Sequence, residues 1–374
     1  MSEIAALEAI AVRLPMTAAF ATSRGCVGSP GTGREVVLVR LTDAAGRAGW
    51  GEAGPVPAWS PETLGSVLDA LRHHLAAAVI GRDPGDLAGL HAAMDAGIAP
   101  GPGRGMPIAK AGVDLAAHDL VGRRLGLPLW RLLGRRGAPT VRLSWTLLGA
   151  DPLESLRQGR AAGFRNFNLK VGGPEGPRAD ADRVRAVRAE APGAFLWADA
   201  NGGYAAHRAL PAARALAAAG ADVLEQPLPP HALRACHELV AAGVLPIALD
   251  ESVTAPEDLA EALGAGALDL LTLKVTRTGG LHPSRICAEM ALAHGLGLLS
   301  SGLTDAGLAF AANVALAAAF GLERPCALNG PQLLGDDVLA APLQRDGDVV
   351  SVADAPGLGV EVDADKVAFY RLPL

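Results

Sequence analysis

Cysteine is scarce in this chain. The four present (Cys26, Cys236, Cys287 and Cys326) are far apart and form no Cys-x-x-Cys pair. That argues against a disulfide framework or a thiolate metal site, and buried free thiols in a reducing compartment are the expectation. Positive charge is not in surplus either. The net charge of −6 gives no reason to expect nucleic acid or an anionic membrane as a partner. Long hydrophobic runs are missing too. The most apolar helix candidate, 308–322, is too short for a span and contains Asn313. Residues 1–15 carry Glu3 and Glu8 and no basic stretch, so they do not read as a signal peptide. A soluble, cytoplasmic protein is expected. The nine histidines show no zinc spacing. His73, His74, His231 and His282 suit helix surfaces or helix ends. The glycine-rich stretch 172–176 lacks the Gly-Lys-Ser/Thr of a phosphate-binding loop and reads as a turn.

What is there suffices for two domains. The chain has 374 residues, half of them apolar, which exceeds the size at which one core stops growing. Strand patterns at 3–14, 35–41 and 49–52 predict an antiparallel meander. Ser60-Pro61-Glu62 reads as a cap opening a helix to about Ala78, and further helices are expected at 85–97 and 107–125. This order describes an α+β unit. Residues 134–139 form a plausible linker, after which strands and helices alternate. Helices are expected at about 151–162, 179–190, 205–219, 231–242, 255–264, 282–295 and 308–321. Strands are expected at 141–147, 164–169, 195–198, 221–224, 245–249, 268–273, 296–300 and 326–328. Thr254 to Glu257 reads as a capping box. Strand signals return at 348–352 and 359–362, and the tail is expected to pack on the first domain. The predicted organisation is a capping domain at 1–125, a barrel at 126–345 and a C-terminal segment at 346–374.

The stretch from Lys170 to Lys274 carries the chemistry. Lys170, Asp199, Glu225, Asp250 and Lys274 each close or follow a short apolar run, in steps of 24 to 29 residues. One strand, loop and returning helix occupy about this length, since a βαβ unit runs to roughly 30 residues. Five charged groups then stand at the C-terminal ends of five neighbouring parallel strands, where barrel active sites are built. Three carboxylates suit a hard divalent cation such as Mg2+. Two flanking amines suit proton transfer. Lys170 and Lys274 lie four strands apart, and strands that distant in a small barrel face each other.

Asp199-Ala200-Asn201, Glu225-Gln226-Pro227, Asp250-Glu251-Ser252, Lys274 with Gly279-Gly280, and Pro356-Gly357-Leu358-Gly359 together carry a resemblance. Over nearly its whole length the chain resembles the enolase superfamily, in the mandelate racemase and muconate-lactonizing branch. The resemblance implies an α/β fold: a modified TIM barrel, (β/α)7β, behind an N-terminal α+β capping domain. It also implies Mg2+ held by Asp199, Glu225 and Asp250, with Lys170 and Lys274 as catalytic bases on two sides of a small carboxylate substrate, in a homo-oligomer. One departure stands out. The branch usually carries Lys-x-Lys on the second barrel strand, and this chain has Asn168-Leu169-Lys170. Asn168 cannot supply the like charge that would lower the pKa of Lys170.

Further substrate-binding or supporting candidates are Asn168, Asn201, Glu251, Asp305, Arg24 and Trp59. Arg24 and Trp59 belong to loops expected over the barrel mouth, and Arg24 is suited to a distal anionic group. Removal of a proton α to a carboxylate puts a second negative charge on the carboxylate oxygens, which a divalent cation stabilises as it forms. The expected activity is racemisation, epimerisation or cycloisomerisation. The alternatives are dehydration of a hydroxy acid or cyclic hydroxy-imino acid, and a non-catalytic descendant that binds a carboxylate or metal. A phosphate-binding barrel of another superfamily has only the 172–176 loop in its favour.

Overall fold

The computed structural model describes residues 2–373 apart from 23, 102–104, 135, 136 and 150. Five strands open the chain: β1 (Ile4–Leu14), β2 (Phe20–Thr22), β3 (Gly25–Gly28), β4 (Arg34–Asp43) and β5 (Ala48–Ala53). β1, β4 and β5 form the expected antiparallel meander, with β4 central. Val36 to Val39 of β4 are fully buried, which explains their unbroken apolar run. β2 and β3 form a separate hairpin. Helix Pro107–Leu125 packs on β5 so closely that a Cβ on Gly51 would stand 2.1 Å from the Gly112 carbonyl oxygen.

The helix expected from Ser60 begins later. Thr63 is its cap, in a reciprocal box with Ser66, and Leu64–Asp69 runs through a π-helical stretch, Ala70–Leu75, into Ala76–Val79. Glu62 does not cap its own helix. Its carboxylate accepts the Ile108 and Ala109 N–H groups at 2.8 and 2.9 Å. The buried start of the 107–125 helix has orphan donors and no side-chain cap of its own, so it claims the acid.

After the linker region, of which Arg135 and Arg136 lie outside the described residues, comes β6 (Thr140–Arg142). Then follow β7 (Trp145–Leu147), β8 (Phe167–Lys170), β9 (Leu196–Asp199), β10 (Val223–Glu225), β11 (Ile247–Leu249), β12 (Leu270–Leu273) and β13 (Gly297–Ser300). β7 to β13 form one parallel sheet in chain order, with helices between the strands. Cys326 bridges Leu143 and Ala327 bridges Ser301, so the sheet closes on itself. The eighth strand expected at 326–328 is thereby reduced to two bridged residues. The architecture is the expected (β/α)7β barrel with an α+β cap. Trp197, Val223, Ala248, Leu270, Leu299 and Ala327 fill its interior, while Leu196 and Ala198 join the core under the helices. Period-2 alternation therefore aims Asp199 inward beside Trp197.

Four further expectations are corrected. The strand expected at 141–147 divides, and β6 leaves the barrel. It pairs with the tail strand β15 (Val349–Ser351), beside β14 (Arg345–Asp346), so this part of the tail packs on the barrel. From Leu358 onward the tail lies against the first unit: Leu358 N–H donates to Asp119 Oδ1 at 2.8 Å, Arg123 donates to the Val360 carbonyl and the Glu361 carboxylate at 2.8 Å each, and Leu372 N–H donates to the Ala11 carbonyl at 2.9 Å. Residues 359–362 form no strand, because Gly357 and Gly359 both turn the backbone at positive φ. Thr254 pairs with Asp258 rather than Glu257. Cys26 is exposed on β3, although Phe20 of the same hairpin is buried in the first unit's core, whereas the other three cysteines are buried. No helix among the described residues is long and apolar enough to cross a membrane.

Two acids of the first unit clamp it to the barrel. Glu52 accepts the Ala306 and Ala309 N–H groups at 2.7 and 3.1 Å, at the start of helix Gly307–Ala319. Asp114 accepts the Leu281 and His282 N–H groups at 2.6 and 3.3 Å, at the start of helix Leu281–Ala293. It also meets His91 at 2.8 Å. These are helix N-terminus contacts, where negative charge is favoured.

Candidate active site

Parallel pairing brings the five charged residues to one end of the barrel. Lys170 registers with Asp199, and Asp199 with Glu225, each as the last residue of its strand. Asp250 and Lys274 each follow their strand by one residue. The chain has only four lysines, and two stand here. In the eight-position barrel β8 and β12 are four places apart, so Lys170 and Lys274 face each other across the mouth.

The acids are buried and unequally partnered. Lys170 Nζ contacts Asp199 Oδ2. Lys274 Nζ lies 2.5 Å from Asp250 Oδ2, and Arg277 Nη1 lies 2.5 Å from Asp250 Oδ1. Neither carboxylate oxygen of the buried Glu225, which stands between them, has a hydrogen-bond partner. Burial, then the charges of Asp199 and Asp250, push the Glu225 carboxyl well above the ordinary range. Burial works against ionised Asp250, but Arg277 and Lys274 outweigh it and bring the group down to about 2. For Lys170, burial disfavours the ammonium, yet Asp199 and Glu225 overcome it and raise its pKa.

This donor set fits a divalent cation. Three inward carboxylates at adjacent strand ends repel one another, and the middle one has two buried, unsatisfied oxygens. Among the described residues no three acidic, histidine or cysteine side chains form a ready-made metal cage. The two lysines and Arg277 hold the outer acids instead.

The supporting candidates separate by position. Asn201 Nδ2 donates to Glu251 Oε1 at 3.0 Å, and its backbone N–H donates to Asp199 Oδ1 at 3.0 Å. Asn201 and Glu251 therefore brace the acid row. Burial, followed by the Asp250 charge, raises the Glu251 pKa. Asn168 is buried one inward position below Lys170, level with Thr146 and Trp197. Trp59 closes the mouth. Its ring lies 5.9 Å from Lys170 Nζ and 5.5 Å from Lys274 Nζ, with Phe20 5.8 Å from Lys170. Arg24 Nε donates to the Asn201 carbonyl at 3.0 Å, which latches the β2–β3 hairpin onto the barrel. Its neighbour Ser23 lies outside the described residues. Asp305 is buried behind Lys274, bonded to Thr276 and Asn313.

Sequence reasoning missed two residues. Arg277 follows Lys274 by three positions on a one-turn helix, so both face Asp250; that spacing was a usable signal. Gln226 was hidden inside its motif. Its Oε1 accepts the N–H groups of Asp250 and Ser252 at 3.0 and 3.1 Å. Asn201, Gln226 and Thr304 all adopt positive φ (45°, 37° and 58°) at the barrel mouth, the kind of backbone strain that concentrates at functional sites.

An acid row between opposed lysines thus stands at the mouth of a (β/α)7β barrel behind an α+β cap, and the comparisons give the family of that fold. Residues 6–134 match the mandelate racemase/muconate lactonizing enzyme N-terminal domain, and 152–366 match the enolase C-terminal domain-like family. The chain is 30% identical to muconate cycloisomerase 1 of Rhodococcus opacus, over 90% of this chain and 91% of that protein. It is also 30% identical to the L-Ala-D/L-Glu epimerase of Clostridium acetobutylicum, over 93% and 96%. Its fold matches the Pseudomonas fluorescens muconate lactonizing enzyme complexed with muconolactone, with a TM-score of 0.90 at 30% identity, covering 99% of this chain and 100% of that one. The chain belongs to the enolase superfamily, in the mandelate racemase/muconate lactonizing enzyme family.

Proposed function

We propose that the protein is a Mg2+-dependent isomerase that moves the proton α to a substrate carboxylate between two lysines. The observation that carries this reading is the pair Lys170 and Lys274. They stand four barrel places apart, share one indole as a roof, and flank three buried acids. Binding alone needs no opposed bases. Asp199, Glu225 and Asp250 would hold Mg2+, and its charge would stabilise the substrate carboxylate as that group takes up a second negative charge.

The chain's own groups divide the remaining work. Lys170 removes the α-proton from one face, and Lys274 delivers or removes it on the other. Trp59 and Phe20 exclude water above the amines. Asn201, Gln226 and Glu251 hold the acid row. Arg24 would receive an anionic group at the far end of the substrate. With Asn168 below it, Lys170 lacks a neighbouring ammonium, so the lysine depends on burial and on neutralisation of the acids to shed its proton. Racemases and epimerases among the relatives fit this two-base scheme. A second reading is cycloisomerisation with one working base, favoured by the 30% identity to muconate cycloisomerase 1.

The test is proton NMR in D2O with Mg2+ and a panel of N-acyl amino acids, dipeptides, proline derivatives, hydroxy acids and muconates. Both antipodes should exchange their α-proton, one losing exchange in Lys170→Ala and the other in Lys274→Ala. Ring closure or elimination that depends on one lysine would replace the two-base reading. Mg2+ binding that survives loss of Asp199, Glu225 and Asp250 would remove the metal site.

A further inference from the structure

The two lysines are held in place by different means. Lys170 ends β8 within the ladder, and the next residue, Val171, donates its N–H to the Asp199 carbonyl at 2.9 Å. Lys274 lies one residue beyond β12, whose last ladder pair is Leu273 with Ser300. It is the N-cap of the one-turn helix Val275–Thr278, its own backbone still extended. A residue past the end of its strand needs other partners to fix its direction.

Within its own turn Thr278 donates its N–H and its hydroxyl to the Lys274 carbonyl at 3.0 and 2.9 Å, and the partners that tie this turn to the rest of the barrel are side chains. Asn313 Oδ1 accepts the Val275 N–H at 3.4 Å, and the Thr276 hydroxyl donates to Asp305 Oδ1 at 3.3 Å. Asn313 Nδ2 donates both to Asp305 Oδ2 at 3.2 Å and to the Ala309 carbonyl at 2.9 Å. Thr276, Asp305 and Asn313 are all buried. Asp305 is also wedged. A Cβ on Gly302 would lie 2.5 Å from its Oδ2, and one on Gly330 would lie 2.1 Å from its carbonyl oxygen. The turn before it is clamped from the N-terminal unit, where the buried Arg34 donates to the Leu303 and Thr304 carbonyls at 3.1 and 3.2 Å.

We propose that Asp305 and Asn313 are positioning residues for Lys274 alone, and that Arg34 extends this support into the N-terminal unit. The inference rests on the reading of Lys274 as one of two bases. Neither residue touches Lys170, whose place is set by strand pairing. Loss of the support therefore impairs proton transfer on one face of the substrate and spares the other.

Two variants test this. Asn313→Leu removes the amide at similar volume. Thr276→Val keeps the shape and removes the hydroxyl that joins the turn to Asp305, and it carries the test if the leucine variant does not fold. The first readout needs no activity. Amide hydrogen exchange by mass spectrometry should quicken in peptides covering 274–278 and stay unchanged across 167–171. In the second, α-deuteration should slow about 10- to 100-fold, as for other supporting partners of a reacting group. The slowing should affect only the antipode that depends on Lys274. Unchanged exchange at 274–278, equal loosening of both segments, or equal slowing of both antipodes would overturn the proposal. A wild-type enzyme that deuterates neither antipode of any substrate overturns the two-base reading instead, while amide exchange still decides whether Asp305 and Asn313 hold Lys274.

Discussion

The indole of Trp59 lies 5.5 Å from the Lys274 ammonium nitrogen, and the same ring reaches Lys170. One side chain from the cap thus roofs both candidate bases. At 8% exposure it is also part of the first unit's core. Trp59→Ala should lower unfolding stability by about 3–5 kcal/mol, as for other buried aromatic truncations. It should also raise KM more than it lowers kcat, because the lost contact serves ground state and transition state alike. Trp59→Phe should retain more of both. Denaturant unfolding and steady-state kinetics check this.

Glu225 is the acid of the row whose two buried carboxylate oxygens have no hydrogen-bond partner among the described residues. Mg2+ should raise the Tm of the wild type, since a ligand at a hundredfold its Kd adds about 2.7 kcal/mol. Glu225→Gln should abolish that rise. Without metal, the same variant should be at least as stable as the wild type, because it removes a buried unpaired carboxylate. Thermal melts with Mg2+ and with a chelator distinguish the two effects.

Glu52 sets a pH dependence. Burial, and next the Asp305 charge, push its carboxyl from 4.5 up to about 8, against the pull of two backbone donors. A folded-state pKa above the unfolded one means that the folded protein holds its proton longer. The stabilising contribution is complete below about pH 4.5 and is lost as pH rises through about 8. Stability should therefore fall between these values, and Glu52→Gln should flatten the slope. Urea unfolding at a series of pH values measures it.

Arg277 shares Asp250 with Lys274 inside the barrel. Arg277→Met should cost about 3–5 kcal/mol of unfolding free energy, the usual effect of breaking a buried pair. Arg277→Lys should not restore activity fully, because an ammonium lacks the planar fork of a guanidinium. Unfolding curves and kcat/KM for the two variants decide it.

Much of the barrel was legible because its signals are local. Runs of four to six mostly apolar residues ending in a charge mark the buried parallel strands and their C-terminal ends, although the run before Lys170 is broken by Arg165, Asn166 and Asn168. The steps between Lys170, Asp199, Glu225, Asp250 and Lys274 each accommodate one returning helix. Glu62 shows where local reading fails. Its place after Ser60-Pro61 suits a cap on the next helix, yet it serves a helix 46 residues later in the chain. Cys326 and Ala327 show the same limit, since a strand reduced to two bridges has almost no pattern to read.

The sequence by itself determined the order of strands and helices, the residue types of the candidate site and the strand ends on which they stand. These follow from side-chain periodicity and residue type, which act over a few residues. Only the tertiary structure decided which groups pair. It gave Asp250 two cations and Glu225 none, joined Arg277 to the site, set Trp59 over both lysines, and placed Asp305 behind one of them. Such pairings depend on distances across the barrel and between cap and barrel. Burial makes those distances matter, because a charge withdrawn from water is governed by the few partners that packing brings within reach.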